Sequence, residues 1–167
     1  PNIYWYITSF FQLFFHCPEV INYICTNKKL NQTEKLLRNL LDKIFSKNPT
    51  KTVSIQNFIN HFNHWNGKNP IPEGQQDASE FAKYLLESLS KNLSDLFSFI
   101  IDDSVIGNLT ETNLILICKP NQPDIQRIVN NKFCQYHIID DFHSYLFIYL
   151  ERNFNKRRKS IKINSFI

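Results

Sequence analysis

Gln75-Gln76-Asp77-Ala78-Ser79-Glu80-Phe81 opens the most regular pattern in the chain. From it Ala78, Phe81, Ala82, Leu85, Leu86 and Leu89 recur at the helical period and make one inner stripe. Asp77 stands at the start of that helix, where a carboxylate opposes the positive end of the dipole. Asp77 and Glu80, three residues apart, share a helix face. Upstream, an Asn66-Gly67 turn and a loop with Pro70, Pro72 and Gly74 separate this helix from one entered at Ser54, with Ile55, Phe58, Ile59 and Phe62 on one face. Earlier still, Thr33 precedes Leu36, Leu37, Leu40, Leu41, Ile44 and Phe45, an apolar stripe opposed by Lys35, Arg38, Asp42 and Lys43 facing water. At the beginning, Thr8 or Ser9 is expected to cap a helix through Phe10, Phe11, Leu13 and Phe14, with Pro18 close to its end.

Downstream the pattern changes. Leu114 to Cys118 and Tyr145 to Leu150 are continuous apolar runs of strand length, and Ile161 to Ile167 alternates. The expected class is therefore α+β: one domain over residues 1–167, helical through residue 97 and strand-rich from 98 onward. Lys156-Arg157-Arg158-Lys159, between the last two strands, reads as a solvated hairpin loop.

With 167 residues, the chain is long enough to bury about 70% of the surface its unfolded form exposes. Fifteen Phe and a 43% hydrophobic content exclude a disordered chain. The net charge of +4 is spread evenly, with ten basic against eight acidic residues through residue 96 and nine against seven after it. No polyanion-binding stripe results, so nucleic acid is not an expected partner. Ile3 to Phe15, the longest apolar run, is well short of the about 20 residues that cross a bilayer, and Thr8, Ser9 and Gln12 interrupt it, so no membrane is expected either. Cys17, Cys25, Cys118 and Cys134 include no Cys-x-x-Cys pair. They read as reduced thiols of a cytoplasmic or nuclear protein. The three sequons at Asn31, Asn92 and Asn108 are ascribed to the abundance of Asn. The chain starts at Pro1 and has no Met, so it is expected to be a fragment.

Gln75 to Phe81, followed by Leu85, Leu86 and Leu89, resembles the Gln-Gln-Asp-Ala-x-Glu-Phe box of the ubiquitin-specific proteases. Tyr6-Ile7-Thr8-Ser9-Phe10-Phe11-Gln12-Leu13-Phe14-Phe15 is similar to that family's first block, Cys-Tyr-x-Asn-Ser-x-x-Gln-x-Leu-Phe. Tyr145 to Arg152 and Lys162 to Ile167 resemble its later strand pair, in the right order. The resemblance implies a papain-like fold, with a helical thumb-like part followed by antiparallel palm and fingers strands. It implies thiol-dependent removal of ubiquitin from proteins, and ubiquitin or a ubiquitinated protein as partner.

It also places Trp5 where the family has its nucleophilic cysteine. An indole offers no nucleophile comparable to a thiolate. The family's Gly-His-Tyr block would follow Ile167, and its oxyanion-stabilising Asn would precede Pro1. No intact catalytic residue is therefore expected, and Trp5→Cys alone is expected to restore nothing. Cys17 does not substitute, lying twelve residues past Trp5, about 18 Å along an ideal helix. Its neighbour His16 does not share its helix face. By resemblance, Gln76, Asp77 and Glu80 border the channel for ubiquitin's basic C-terminal tail, where carboxylates would pair with arginines. An alternative is a non-catalytic ubiquitin-binding or scaffold module. No metal and no cofactor are expected: Cys118, Cys134 and His137 make at most a partial zinc site, and His61 and His64 beside Trp65 only a half-site.

Overall fold

The computed structural model describes residues 4–46, 52–63, 65, 71, 76–103, 107–111, 115–118, 127–128, 137–138 and 145–150. The chain divides into two compact units, Pro1–Ser94 and Asp95–Ile167. In the first, α1 (Trp5–Phe14), α2 (Pro18–Thr26), α3 (Gln32–Ile44), α4 (Gln56–His61), α5 (Ala78–Glu87) and the single turn α6 (Lys91–Ser94) follow one another.

Phe81, on the inner stripe of α5, is the hub of the first unit. Tyr6, Phe10 and Phe11 of α1 meet its ring at centroid distances of 6.1, 5.7 and 5.7 Å. Phe58 of α4 lies at 6.3 Å, Phe62 at 6.0 Å, and Trp65 stacks on it at 6.2 Å. All seven side chains are buried. Edge-to-face pairs predominate, the arrangement ring quadrupoles favour, each worth about 0.5–1.5 kcal/mol beyond simple burial. The helical period on α1, α4 and α5 aims these rings at one point. Ala82, Leu85 and Leu86 complete the buried face of α5, while Ala78 is only half-buried.

Helix α3 starts at a capping box rather than at Thr33. Asn31 accepts from the Glu34 amide at 2.9 Å, and the Glu34 carboxylate accepts from the Asn31 amide at 2.9 Å. The Asn31 side chain also donates to the Ser88 carbonyl at 2.9 Å, which occupies the amide of the first sequon. Glu34 is 0% exposed. Its other oxygen accepts from the Ser90 amide at 2.9 Å and from the Ser90 hydroxyl, which in turn takes the Tyr23 hydroxyl at 3.0 Å. Since Ser90 donates to Glu34, Tyr23 donates to Ser90. A buried polar network thus ties α2 and α3 to the turn between α5 and α6.

Three local expectations are corrected and one is extended. Helix α1 begins at Trp5, and Thr8 is inside it, its hydroxyl donating back to the Trp5 carbonyl at 2.9 Å instead of capping. Pro18 starts a helix as well as following one: it occupies the first turn of α2, where its missing N–H costs nothing. Ile44 and Phe45 are exposed, Phe45 by 64%, because the stripe of α3 runs out where the helix ends. Arg38 does not face water freely. Its guanidinium donates to the Asn27 carbonyl at 2.6 Å and to that of Ile24, satisfying the orphan carbonyls at the end of α2.

The second unit opens with a 3₁₀ turn, Asp95–Phe97. Then come β1 (Phe99–Asp103), β2 (Gly107–Glu111), β3 (Ile115–Cys118), β4 (His137–Ile138) and β5 (Phe147–Leu150). Strand β1 is central to a three-stranded sheet of order β2-β1-β4, with both pairings antiparallel. Strands β3 and β5 form a separate pair, Ile115 opposite Phe147, and run parallel. That departs from the all-antiparallel expectation. A parallel pair needs a long connection, which residues 119–146 supply, and it favours the unbroken apolar runs that both segments show. Phe97 stacks on Phe147 at 5.1 Å. The basic run at Lys156, the strand expected over Ile161 to Ile167, Gln75, His64 and Cys134 lie outside the described residues.

Candidate functional site

The heads of α1 and α5 are brought together by the Phe81 cluster. Tyr4 is the N-cap of α1 and offers no side-chain cap bond. Its carbonyl accepts from the Ile7 and Thr8 amides at 3.1 and 3.2 Å, and the first turn contains no acidic residue. Trp5, the first helical residue, is 47% exposed. It meets the Tyr6 ring at 6.4 Å and 89°. Tyr6 points the other way, into the cluster. Burial chiefly, then the neighbouring Tyr4 and the charge of Glu80, push its phenol up to about 12. Glu80 therefore stands close enough to α1 for its charge to be felt at the residue after Trp5.

On α5, Asp77 is an exposed N-cap. Its Oδ1 accepts from both the amide and the hydroxyl of Ser79, each at 2.8 Å. Glu80 is exposed in the same first turn, and Gln76 is half-buried in the segment entering the helix. The structure thus sets Trp5 beside Tyr6 and packs Tyr6 on Phe81 of α5, the helix that bears Glu80 and starts after Asp77. Tyr6 as the link between the two heads was not singled out from the sequence. The signal was present, since Tyr6 and Phe10 are one turn apart on the inner face of α1.

The two cysteines with described side chains are elsewhere. Cys17 is buried beyond the end of α1, its sulfur directed at the Leu13 carbonyl at 3.9 Å. Burial, with Glu19 adding to it, pushes the thiol up to about 11, away from thiolate character. Next to it, His16, in the turn after α1, directs Nδ1 at the Gln12 carbonyl of that helix. Cys25 is exposed in the last turn of α2. His61 is exposed, with Nδ1 on the Asn57 carbonyl at 2.8 Å. Among the described residues no three His, Cys, Asp or Glu side chains group as a metal site, and no helix is long and apolar enough to cross a membrane. Cys118 and His137 are in strands of different sheets.

The sequence model of the family described as Ubiquitin carboxyl-terminal hydrolase matches residues 4–167, from the residue before Trp5 through both units. The chain belongs to the ubiquitin carboxyl-terminal hydrolase family. No curated protein and no solved structure matched it. Membership carries with it the papain-like fold and a deubiquitinase type of chemistry, in which the family acts on ubiquitin and ubiquitinated proteins. A helix head is where a thiolate would gain from unsatisfied amides; at the head of α1 the first residue is Trp5.

Proposed function

We propose that this member of the ubiquitin carboxyl-terminal hydrolase family engages ubiquitin or a ubiquitinated protein without hydrolysing it. The observation that carries the reading is Trp5 at the head of α1, about half exposed, on the helix that packs against α5. The resemblance of the first block supports this reading, since it puts Trp5 where the family has its nucleophilic cysteine. An indole there gives the scissile carbonyl nothing to react with. The described thiols do not replace it: Cys17 is buried and held protonated, and Cys25 is on α2. In this reading the helices of the first unit correspond to the thumb, and the strands of the second to palm and fingers.

Recognition falls to Gln76, Asp77 and Glu80. The hydrogen bonds to Ser79 commit one oxygen of Asp77 to the helix cap, so Glu80 contributes more of the charge available to a basic tail. Incubation with a fluorogenic ubiquitin conjugate is expected to give no turnover above the no-protein control. Thiol-sensitive release of the fluorophore would overturn inactivity. Chemical-shift titration of labelled ubiquitin is expected to show perturbations, and their absence at millimolar protein would remove the binding role.

A further inference from the structure

We propose that Asp102 and His137 make a cross-strand ion pair that clips β4 to β1 while the imidazole is protonated, so that the hold on this edge strand weakens as pH rises through neutrality. The pairing register carries the inference. Asp102 stands directly opposite Asn108 of β2 and directly opposite His137 of β4, so the three residues lie abreast across the sheet and belong to one of its faces. Strand parity sorts the other charged residues of these strands: Asp103 and Glu111 belong to the opposite face, together with the apolar row Leu109, Ile101 and Ile138. Among the described strands of this sheet, Asp102 is thus the one carboxylate that shares a face with His137, and no Lys or Arg accompanies it. Directly opposed residues in an antiparallel pair have Cβ atoms about 5 Å apart, a spacing at which an imidazolium and a carboxylate attract.

The pair matters because β4 has little else. Strand β2 is matched along the whole of β1, whereas β4 is matched only through Ile101 with Ile138 and Asp102 with His137. One of its two cross-strand pairs is therefore titratable. Strand β4 also lies within the 119–146 connection that carries the chain from β3 to β5, so this pairing is where that connection joins the sheet of β1. Cys118 is in the other sheet and leaves His137 to Asp102. The sign follows from the ordinary values, about 6.5 for an imidazole and about 3.9 for a carboxylate. A facing carboxylate favours the imidazolium, so the paired strand keeps its proton to higher pH than the released strand. The added hold is complete below the released value and is lost as pH rises through the paired one, while Asp102 stays ionised throughout.

The test uses the whole chain, in EDTA, with isotope-labelled histidine. Loss of one imidazole resonance in His137→Gln assigns it, and its titration is followed by NMR from pH 5 to 9. In the parent His137 is expected to titrate about 0.3–0.7 of a pH unit higher than in Asp102→Asn, which keeps the shape and loses the charge. The same coupling is read in hydrogen exchange: corrected for the chemical rate, protection of the peptide bearing His137 and Ile138 is expected to be about two- to fivefold greater at pH 5.5 than at pH 8.5. That difference is expected to vanish in Asp102→Asn and in His137→Gln. A His137 that titrates alike in parent and Asp102→Asn, protection unchanged between the two pH values, or a pH effect that survives in either variant would overturn the clip. Circular dichroism checks that the variants fold. If Asp102→Asn does not, the parent's protection at the two pH values and its loss in His137→Gln decide.

Discussion

A thiol reacts in proportion to its thiolate, and at Cys17 burial holds that fraction down. With the group pushed up to about 11, about one thiol in a thousand is ionised at pH 8. Iodoacetamide at that pH is expected to label Cys25 well before Cys17, read by peptide mapping at timed quenches. Equal rates would mean that the Cys17 pocket opens freely. Tyr6 is displaced in the same direction. Below pH 10 the folded and unfolded chains both keep its proton. Above that, the unfolded chain releases the proton while the folded chain holds it until about pH 12, so stability falls as pH rises through this window. Cys17 adds a loss of the same sign between its ordinary value near 9 and about 11. Urea midpoints measured from pH 8 to 11.5 are expected to drop, and Tyr6→Phe to flatten the upper part of the curve. An unchanged slope in Tyr6→Phe would show that the phenol is not the group responsible.

At the scale of elements, α5 holds the first unit together through Phe81. Phe81→Ala removes the partner of six rings from three segments of chain, and such core truncations cost about 3–5 kcal/mol. Urea unfolding is expected to show a loss in that range, with Phe81→Leu retaining more. Helix α5 was legible because its stripe is long and Asp77 marks its start. Helix α2 was not, since Val20 and Ile24 give only a short stripe and Pro18 reads equally as a stop or a start. Asn31 and Glu34 spell a capping box, a signal in the sequence that starts α3 before the apolar stripe from which the helix was read. The exposure of Ile44 and Phe45 was illegible for a different reason: periodicity locates a stripe but does not say where α3 itself ends. Strands β3 and β5 were readable as runs, while their shared direction depends on pairing across a long connection and leaves no local mark.

For the molecule as a whole, the candidate site was legible in its parts and less so in its assembly. Trp5, Asp77 and Glu80 were each singled out in sequence. That Tyr6 packs on Phe81 and feels the charge of Glu80 follows from the packing of α1 on α5, a relation between residues more than seventy positions apart. The Glu34 network is a second such relation. Glu34→Ala leaves the amides of Asn31 and Ser90 and the Ser90 hydroxyl without their acceptor inside the first unit, and is expected to cost about 3 kcal/mol in urea unfolding. A loss under about 1 kcal/mol would mean that water takes over the acceptor's role. Glu34 and Ser90 are separated by 56 positions. On a ribosome, then, the carboxylate leaves the exit tunnel long before the serine that shelters it has been translated. Until then the capping box with Asn31 is the carboxylate's local arrangement, and the contact that closes the network waits for Ser90 to emerge.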